Sequence, residues 1–313
     1  MSGMVVETPG LFTTVQDLGR EGFAPMGVSA SGAADPISLR IGNRLVGNRE
    51  SAAGLEMTLV GGAFAFERAA VIALTGADFG PSANGIPLPM WTSIEIQGGQ
   101  TVTLGSSRSG ARAYLCIRGG IAVEPFLGSA STHVLSGLGG FEGRALRKGD
   151  RLDLGAAGAA FRKMTLSPNM LERLQPRKVI RVTDGPQGDW FASSSWKIFC
   201  ESTFRVTEQS NRMGIRLEGP PIPLDASREM ITEGVSLGAI QVPPSGQPII
   251  LFVEQQTTGG YPKIANVISA DAHSLGQLRP RDSIRFERIE MSAARSLLME
   301  REALLASQEL IQE

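Results

Sequence analysis

Residues 238–271 read GAIQVPPSGQPIILFVEQQTTGGYPKIANVISAD and contain the clearest strand and turn pattern in the chain. A Pro-Pro-Ser-Gly turn separates the short apolar segment 239–242 from the apolar run 248–253, which is the pattern of a β-hairpin. A third apolar run follows at 264–268. The sequence therefore predicts that the polar loop 255–261 is held at both ends by core strands.

This loop, QQTTGGY, concentrates polar groups in a few residues. Thr257 and Thr258 supply hydroxyls, while Gly259 and Gly260 allow the backbone to approach a ligand closely. Because loops on a rigid scaffold carry much of binding and catalysis, we interpret it as a functional loop. The alternative is a structural connection whose threonines only cap turns.

The composition indicates many short strands joined by tight turns. The 313 residues include 38 Gly and 18 Pro, spread along the chain, which suits such a fold. The 30 Lys and Arg against 31 Asp and Glu give a net charge of -1, so no basic excess suggests a nucleic-acid partner. No apolar run is long enough to span a bilayer and no signal-peptide pattern is present, which predicts a soluble, cytoplasmic protein without a membrane partner.

Short apolar segments bounded by turn residues recur along both halves of the chain, as in barrels and sandwiches. The best-signalled helix begins after Asp35, which is followed by Pro36 and periodic apolar residues. A short helix is also expected at 189–193 and a tail helix at 292–312. The Pro-containing polar stretch 167–178 is the expected domain boundary.

A weak internal similarity supports two related domains. Residues 75–91, TGADFGPSANGIPLPMW, resemble residues 233–250, EGVSLGAIQVPPSGQPII, in having a small-residue entry, a turn and a following strand. If this duplication is real, the two domains present equivalent glycine loops.

Metal and redox chemistry have little support in the sequence. Cys116 and Cys200 lie in apolar contexts and are interpreted as small core residues rather than a disulfide. With only His133 and His273 besides, we expect no metal site. The P-loop, G-x-S-x-G and H-E-x-x-H motifs are all missing from the sequence.

Three further polar loops carry candidate ligands. Asp17 and Arg20 either brace their turn or bind an anionic oxygen through the guanidinium. Ser31 and Gly32 precede the Asp35 helix and either present amide groups to an anion or only lead into the helix cap. Arg212 lies ahead of a strand, where the alternative is a solvated edge position.

Several of these segments, in this order, resemble one protein family. They include TVQDLGREGF, SGAADP, GNRLVGN, GSAST, NRMGIRLEG, GAIQVPPSGQPI and QTTGGYPKIANVISAD. The family is that of carboxyltransferase subunits, which includes the C-type subunit of bacterial 5-oxoprolinase, allophanate hydrolase subunit 2 and the Kip antagonist protein. The resemblance extends to residue 287 and leaves out the tail helix. One departure is Glu254-Gln255, where the family usually shows an Asp-Arg pair.

The resemblance implies a mainly β fold with two tandem cyclophilin-like β-barrel domains and a few short helices. The domains are expected at 1–172 and 173–290, with a C-terminal helix at 291–313. It also implies a B-type subunit as partner, together with an A-type subunit and the use of ATP in the assembled complex. No covalently bound biotin is expected, because Lys163 lacks the small-residue context of a biotinyl-lysine loop.

The function implied first is that of the C-type subunit in an ATP-dependent 5-oxoprolinase, inactive alone, which helps to open the lactam of 5-oxo-L-proline to glutamate. One alternative is a regulatory protein that sequesters a B-type partner without catalysis. Another is carboxyl transfer to urea-like amides together with a biotin-dependent enzyme.

Activation of an amide carbonyl needs donors aimed at the negative charge that develops on oxygen. We nominate Thr257, Thr258, Lys263 and Arg20 as such catalytic donors, and Asp35 or Asp17 as the group that orients the amide N–H. The residues predicted to bind substrate are Gly259, Gly260, Tyr261, Gln241, Asp17, Ser31, Gly32 and Arg212.

Overall fold

The computed structural model of the protein describes residues 2–156, 162–224, 228 and 230–312. Its internal contacts divide the chain into two units. The first comprises Met1–Arg20, Ser31–Leu174 and Leu305–Glu313, and the second comprises Glu21–Ala30 and Gln175–Leu304. The domain bounds expected from the sequence stay a prediction, which limited proteolysis would test.

The first unit is built from short strands that pair into two sheets around one core. In chain order they are β1 (Ser2–Thr8), β2 (Thr13–Gln16), β3 (Gly54–Thr58), β4 (Ala63–Phe66), β5 (Ala70–Gly76), β6 (Ser82–Ala83), β7 (Ile86–Pro87), β8 (Ser93–Ile96), β9 (Thr101–Thr103), β10 (Arg112–Ile117) and β11 (Arg151–Asp153). A further strand, β12 (Thr165–Leu166), belongs to neither of these two sheets. One sheet has the order β11-β1-β4-β9-β6-β7 and the other β2-β3-β10-β5-β8. Phe64 and Val102 from one sheet meet Leu55 and Leu115 from the other in a single buried cluster, so both sheets turn one face inward.

Helix α1 (Pro36–Leu45) lies where the sequence predicts it. The Asp35 carboxylate accepts a hydrogen bond from the Ser38 backbone N–H at 3.0 Å, which caps the first turn. Leu39 and Ile41 on the buried side of α1 are fully covered. A second, shorter helix, α2 (Pro168–Arg173), lies at the end of this unit.

The second unit closes into a barrel. Its strands are β13 (Val179–Asp184), β14 (Phe204–Val206), β15 (Gly214–Glu218), β16 (Glu233–Gly234), β17 (Ala239–Gln241), β18 (Ile249–Leu251), β19 (Thr258–Gly259), β20 (Lys263–Val267) and β21 (Ser283–Arg288). The closed order is β13-β20-β17-β18-β15-β14-β21. Helix α3 (Ser193–Glu201) covers it, since Phe199 stacks on Phe286 of β21 at a ring-centroid distance of 4.3 Å. A short helix, α4 (Ala272–Gly276), follows β20.

The predicted hairpin is confirmed. Strands β17 and β18 pair antiparallel, with Ile240 opposite Ile250. Their connection closes through a hydrogen bond from the Gly246 N–H to the Pro243 carbonyl at 2.8 Å. Strand β20 pairs with the other edge of β17, so the polar loop lies between two barrel strands, as expected.

Two predicted helices differ from the structure. The helix expected at 189–193 is a single 3-10 turn, Gly188–Trp190, followed by α3, because Phe191 and Ala192 adopt extended backbone angles between them. The tail helix, α5 (Met291–Ala306), ends earlier than predicted. Ser307 is extended and its side chain caps a new 3-10 turn, after which β22 (Ile311–Gln312) pairs with β12.

The prediction of a mainly β protein with few helices and a C-terminal helix is confirmed. The matched hairpins of the proposed duplication, in contrast, occupy different positions. The turn at Asn84-Gly85 joins β6 and β7 at the edge of a sheet, whereas the turn at 243–246 joins two strands inside the closed barrel. Across the residues that the structure describes, no helix is long and apolar enough to span a membrane.

Candidate functional site

The glycine loop forms one wall of a cleft in the second unit. The cleft has a volume of about 650 Å³, and Thr257, Thr258 and Lys263 all line it. The other lining residues are Ala24, Pro25, Gly27, Pro186, Gly234, Val235, Ser236 and Asn266. Three of the residues predicted to be catalytic therefore share one cavity.

The Lys263 ammonium supplies a buried charge to this cleft. Its side chain is 2% exposed, and its Nζ lies 2.6 Å from Glu233 Oε1. Gln187 Nε2 donates to the same carboxylate oxygen at 3.0 Å. The hydrogen bonds from Lys263 and then Gln187 hold the pKa of Glu233 below its ordinary value, because both favour the carboxylate. The cleft thus contains an ammonium group fixed in direction by an ionised carboxylate.

The loop after β13 fixes the backbone of Lys263. The Gln187 side chain accepts a hydrogen bond from the Lys263 N–H at 3.1 Å, while the Gln187 N–H donates to the Lys263 carbonyl at 3.3 Å. Gly185 lies against the same strand, since a Cβ at this position would be 2.3 Å from the Lys263 carbonyl oxygen. A side chain larger than hydrogen at residue 185 would therefore displace the start of β20.

Strand β19 is placed by pairing with β16. Gly259 lies opposite Glu233, and Thr258 lies opposite Gly234. This small sheet places Glu233, the carboxylate partner of Lys263, beside the strand that carries Thr258. The contact joins residues about two dozen positions apart in a segment without a strong strand pattern.

Tyr261 and Gln241 contribute to a different cavity of the second unit. Both line a groove of about 730 Å³ together with Gln256. Gly259 lies against Gln241, because a Cβ at Gly259 would be 2.4 Å from the Gln241 Nε2. The segment 256–261 therefore faces the Lys263 cleft on one side and this groove on the other.

Arg212 is engaged with Glu254 rather than solvated. The guanidinium Nε lies 2.5 Å from Glu254 Oε1, and both side chains are buried. Glu254, where the sequence departs from the family pattern, therefore forms a buried ion pair with Arg212. An anion-binding role for Arg212 stays a prediction, but its guanidinium already has a carboxylate partner.

In the first unit, Asp17 is the centre of a hydrogen-bonded loop cluster. Its carboxylate accepts from the Gly19 N–H at 2.8 Å and the Ala130 N–H at 2.7 Å. The hydroxyls of Ser129 and Ser131 donate to it at 2.6 Å and 2.5 Å. Four donors therefore hold Asp17 against the GSAST segment.

Arg20 also binds the chain beside this segment. Its Nη2 donates to the Ser131 carbonyl, its Nε donates to the Phe126 carbonyl at 3.3 Å, and its guanidinium lies 5.6 Å from the centre of the Phe126 ring. The side chain is 3% exposed. Asp17 and Arg20 thus brace neighbouring loops, which agrees with the structural alternative for this pair.

Ser31, Gly32 and Asp35 complete the cluster. Ser31 Oγ donates to the Thr132 carbonyl at 3.4 Å. Gly32 has a φ of +93°, and a Cβ there would be 2.9 Å from the backbone of Leu18 and Gly19. Asp35 caps α1 as described above. Gly32 therefore adjoins the turn that contains Asp17, and Asp35 follows at the start of α1.

A buried acid and phenol support the same loops. Tyr114 donates to Glu56 Oε2 at 2.7 Å and accepts from the Asp35 N–H at 2.7 Å. Glu56 also accepts from the Ala34 N–H at 2.8 Å. Burial raises the pKa of Tyr114 well above its ordinary value, so the phenol keeps its proton and acts as a donor.

The structure thus groups the predicted residues into three places. Thr257, Thr258 and Lys263 line the cleft, Tyr261 and Gln241 line the groove, and the first-unit residues form the Asp17 loop cluster. Sequence reasoning missed Glu233 and Gln187, although Gln187 lies in a recognisable Asp-Gly-Pro-Gln turn. Among the described residues, no group of His, Cys, Asp and Glu could hold a metal ion.

Comparisons with known proteins agree with this architecture. The model of the carboxyltransferase domain, subdomains A and B, matches residues 26–288. The chain is 40% identical to the C-type 5-oxoprolinase subunit of Escherichia coli over 91% of both chains, and 35% identical to that of Haemophilus influenzae over 93% of both. The solved structure of K. lactis urea amidolyase matches 99% of this chain and 21% of its own, with a TM-score of 0.92 and 32% identity. The chain therefore belongs to the family of proteins with a carboxyltransferase domain composed of subdomains A and B.

Proposed function

We propose that the chain is the C-type subunit of a heteromeric, ATP-dependent 5-oxoprolinase that opens the lactam of 5-oxo-L-proline to glutamate. The observation that carries this proposal is the length of the likeness. The match with the Escherichia coli C-type subunit covers 91% of that subunit and 91% of this chain. The match with the K. lactis urea amidolyase covers only 21% of that protein. A likeness that covers most of the C-type subunit but about a fifth of the urea amidolyase favours the role of the C-type subunit.

The chemistry of the Lys263 cleft suits amide activation. A lactam carbonyl is a poor electrophile, and a donor aimed at its oxygen stabilises the charge that develops there. In our proposal Lys263 and the hydroxyls of Thr257 and Thr258 provide these donors, and Gly259 and Gly260 let the substrate approach the backbone. Glu233 holds the Lys263 ammonium in place through their 2.6 Å contact.

The cleft does not fit ATP as a ligand of this chain alone. Its described lining residues include one cation, Lys263, and Glu233 neutralises that charge. A triphosphate needs several cations or a phosphate-binding loop. We therefore propose that a B-type or A-type partner supplies most of the ATP site.

Reconstitution tests the proposed function. The chain is combined with B-type and A-type subunits from its own organism, and ATP-dependent release of glutamate from 5-oxo-L-proline is measured. We expect release only when all partners are present, and expect Thr258→Val to lower turnover. Thr203→Val serves as the matched control, because Thr203 is exposed and lines neither the cleft nor the groove. Absence of glutamate with all three wild-type subunits present would refute the proposal.

Carboxyl transfer to a urea-like amide is the second candidate. The TM-score of 0.92 with K. lactis urea amidolyase favours this function, because that protein contains a domain with the same fold. This function requires a separate biotin carrier. Transfer of a carboxyl group from carboxybiotin to urea, with no glutamate formed from 5-oxo-L-proline, would support it over the first.

A further inference from the structure

The groove lined by Gln241 lies on the outer face of the second-unit barrel. Arg216 of β15, Ile249 of β18 and Gln241 of β17 are neighbours in the paired register. The adjacent pair, Ile240 and Ile250, is fully buried. Because successive side chains point to opposite faces of a strand, the row that contains Gln241 faces outward and floors the groove.

Gln241 carries a hydrogen-bonding group without a partner in this groove. Its side chain is 1% exposed, and within the described parts of the chain its Nε2 has no hydrogen-bond partner. Buried polar groups are normally satisfied, because an unmade hydrogen bond costs their full desolvation. The amide therefore points to an acceptor that binds in the groove.

Side-chain amides recur along the groove. Gln209, Gln241, Gln247 and Gln256 all line it. Gln247 shows what such an amide can recognise, since its Oε1 accepts from the Gly219 N–H at 3.0 Å and its Nε2 donates to the Gly219 carbonyl at 3.1 Å. One primary amide thus binds both polar groups of one backbone residue. Repeated amides match the repeated donors and acceptors of an extended peptide.

The charges of the groove also favour a neutral occupant. Arg216 is accompanied by Glu208 and Glu218, and Glu208 pairs with Arg281 at 2.6 Å. No surplus of positive charge is present among these groups to attract a phosphate. Ile249 and Leu251 add apolar surface to the groove, as in most ligand sites.

We propose that this groove binds an extended, uncharged segment of the B-type partner, with a backbone carbonyl that accepts a hydrogen bond from Gln241 Nε2. The segment lies across the face of the strands, because the barrel is closed and has no free edge for an added strand. The proposal rests on the proposed function in requiring a partner protein.

Binding in the groove would also fix the position of the glycine loop, because Gln241 contacts both the groove and that loop. This residue is the cross-strand partner of Lys263, and it packs against Gly259. A partner segment that fixes the Gln241 amide therefore also fixes β19 and the start of β20. This contact supplies a physical reason for the chain to need its partner.

Photo-crosslinking and binding test this inference with the full-length chain and a purified B-type subunit from the same organism. A photoreactive residue replaces Gln209 in the groove or, as control, Lys197 on α3. We expect crosslinks from position 209 to one contiguous segment of the partner and fewer from position 197. By calorimetry, Gln241→Leu should weaken partner binding about tenfold, while exposed Gln308→Leu leaves it unchanged.

Two results would overturn the groove proposal: no crosslink from position 209 in a formed complex, or unchanged affinity in a folded Gln241→Leu. If Gln241→Leu unfolds, the crosslinks decide. Glutamate release is measured separately. An active complex without groove crosslinks refutes only the groove, and crosslinks in a complex inactive on 5-oxo-L-proline refute only the proposed function. Failure of the wild-type chain to bind the partner refutes both.

Discussion

At the scale of single residues, Glu233 determines how the Lys263 ammonium is held. The amine is 2% exposed and the carboxylate is 43% exposed, so a buried ammonium is paired with a carboxylate that solvent reaches. Solvent at Glu233 screens part of the attraction. The pair nevertheless lowers the pKa of Glu233, and this shift links stability to pH.

The pH dependence follows from the sign of that shift. A carboxyl group whose pKa is lower in the folded state contributes stability above its unfolded pKa, and this stability is lost as the pH falls through the folded pKa. We expect the difference in unfolding free energy between wild type and Glu233→Gln to be largest near neutral pH and to shrink below the ordinary pKa of 4.5. Urea unfolding from pH 7 to pH 3 measures it, with exposed Glu208→Gln as control. A difference that grows toward acid pH would contradict this assignment.

Residue chemistry is predictable from the sequence only in part. Lys263, Thr257 and Thr258 can be found because they lie in or beside one short glycine loop between apolar runs. Glu233 is missed because its position depends on pairing with Gly259, and the segment around it has no strand period. Arg212 and Asp17 are predicted as substrate ligands, but sequence alone does not reveal that Glu254 and two serines already bind them.

At the scale of elements, the turn after β13 fixes the backbone position of Lys263 in the cleft. Gly185→Ala should push a methyl group into the Lys263 carbonyl, which is 2.3 Å from the position of the added carbon. Backbone must move, so we expect a loss of about 1–3 kcal/mol in stability and lower turnover. Thermal unfolding measures the loss of stability. Gly234→Ala is the control for stability, since nothing lies within 4 Å of its added carbon. Equal melting temperatures for both variants would contradict this role.

The start of α1 offers a test of structural against catalytic roles. Asp35 caps the helix through the Ser38 N–H, so Asp35→Ala should cost about 1 kcal/mol. Asp35→Ser keeps a capping oxygen and should recover most of that stability. If Asp35 only caps, turnover in the reconstituted enzyme recovers as well. Restored stability with turnover still lost would instead support the predicted catalytic role.

Elements are more predictable than their bounds. The Asp35-Pro36 start and the turn at 243–246 are local signals, and both appear where expected. The predicted tail helix extends too far because Leu310 and Ile311 continue its apolar spacing, although they belong to a 3-10 turn and to β22. A strand pairing with β12, far away in sequence, is not visible from the spacing.

At the scale of the whole molecule, composition and turn spacing are enough to predict a mainly β chain. They do not predict that one unit forms two sheets around a core and the other a closed barrel. The hairpin correspondence between the halves fails for the same reason, because a shared local pattern does not fix the place of a hairpin in its sheet.

The central claim is that the Lys263 cleft of this chain activates the lactam in the assembled enzyme. The most direct measurement compares ATP-dependent glutamate release from 5-oxo-L-proline by reconstituted complexes carrying wild type, Lys263→Met or the exposed control Lys178→Met. We expect Lys263→Met to lower kcat by about 100-fold, as for loss of one oxyanion donor, with complex assembly and the control unchanged. An intact Lys263→Met complex that releases glutamate at the wild-type rate would contradict the account.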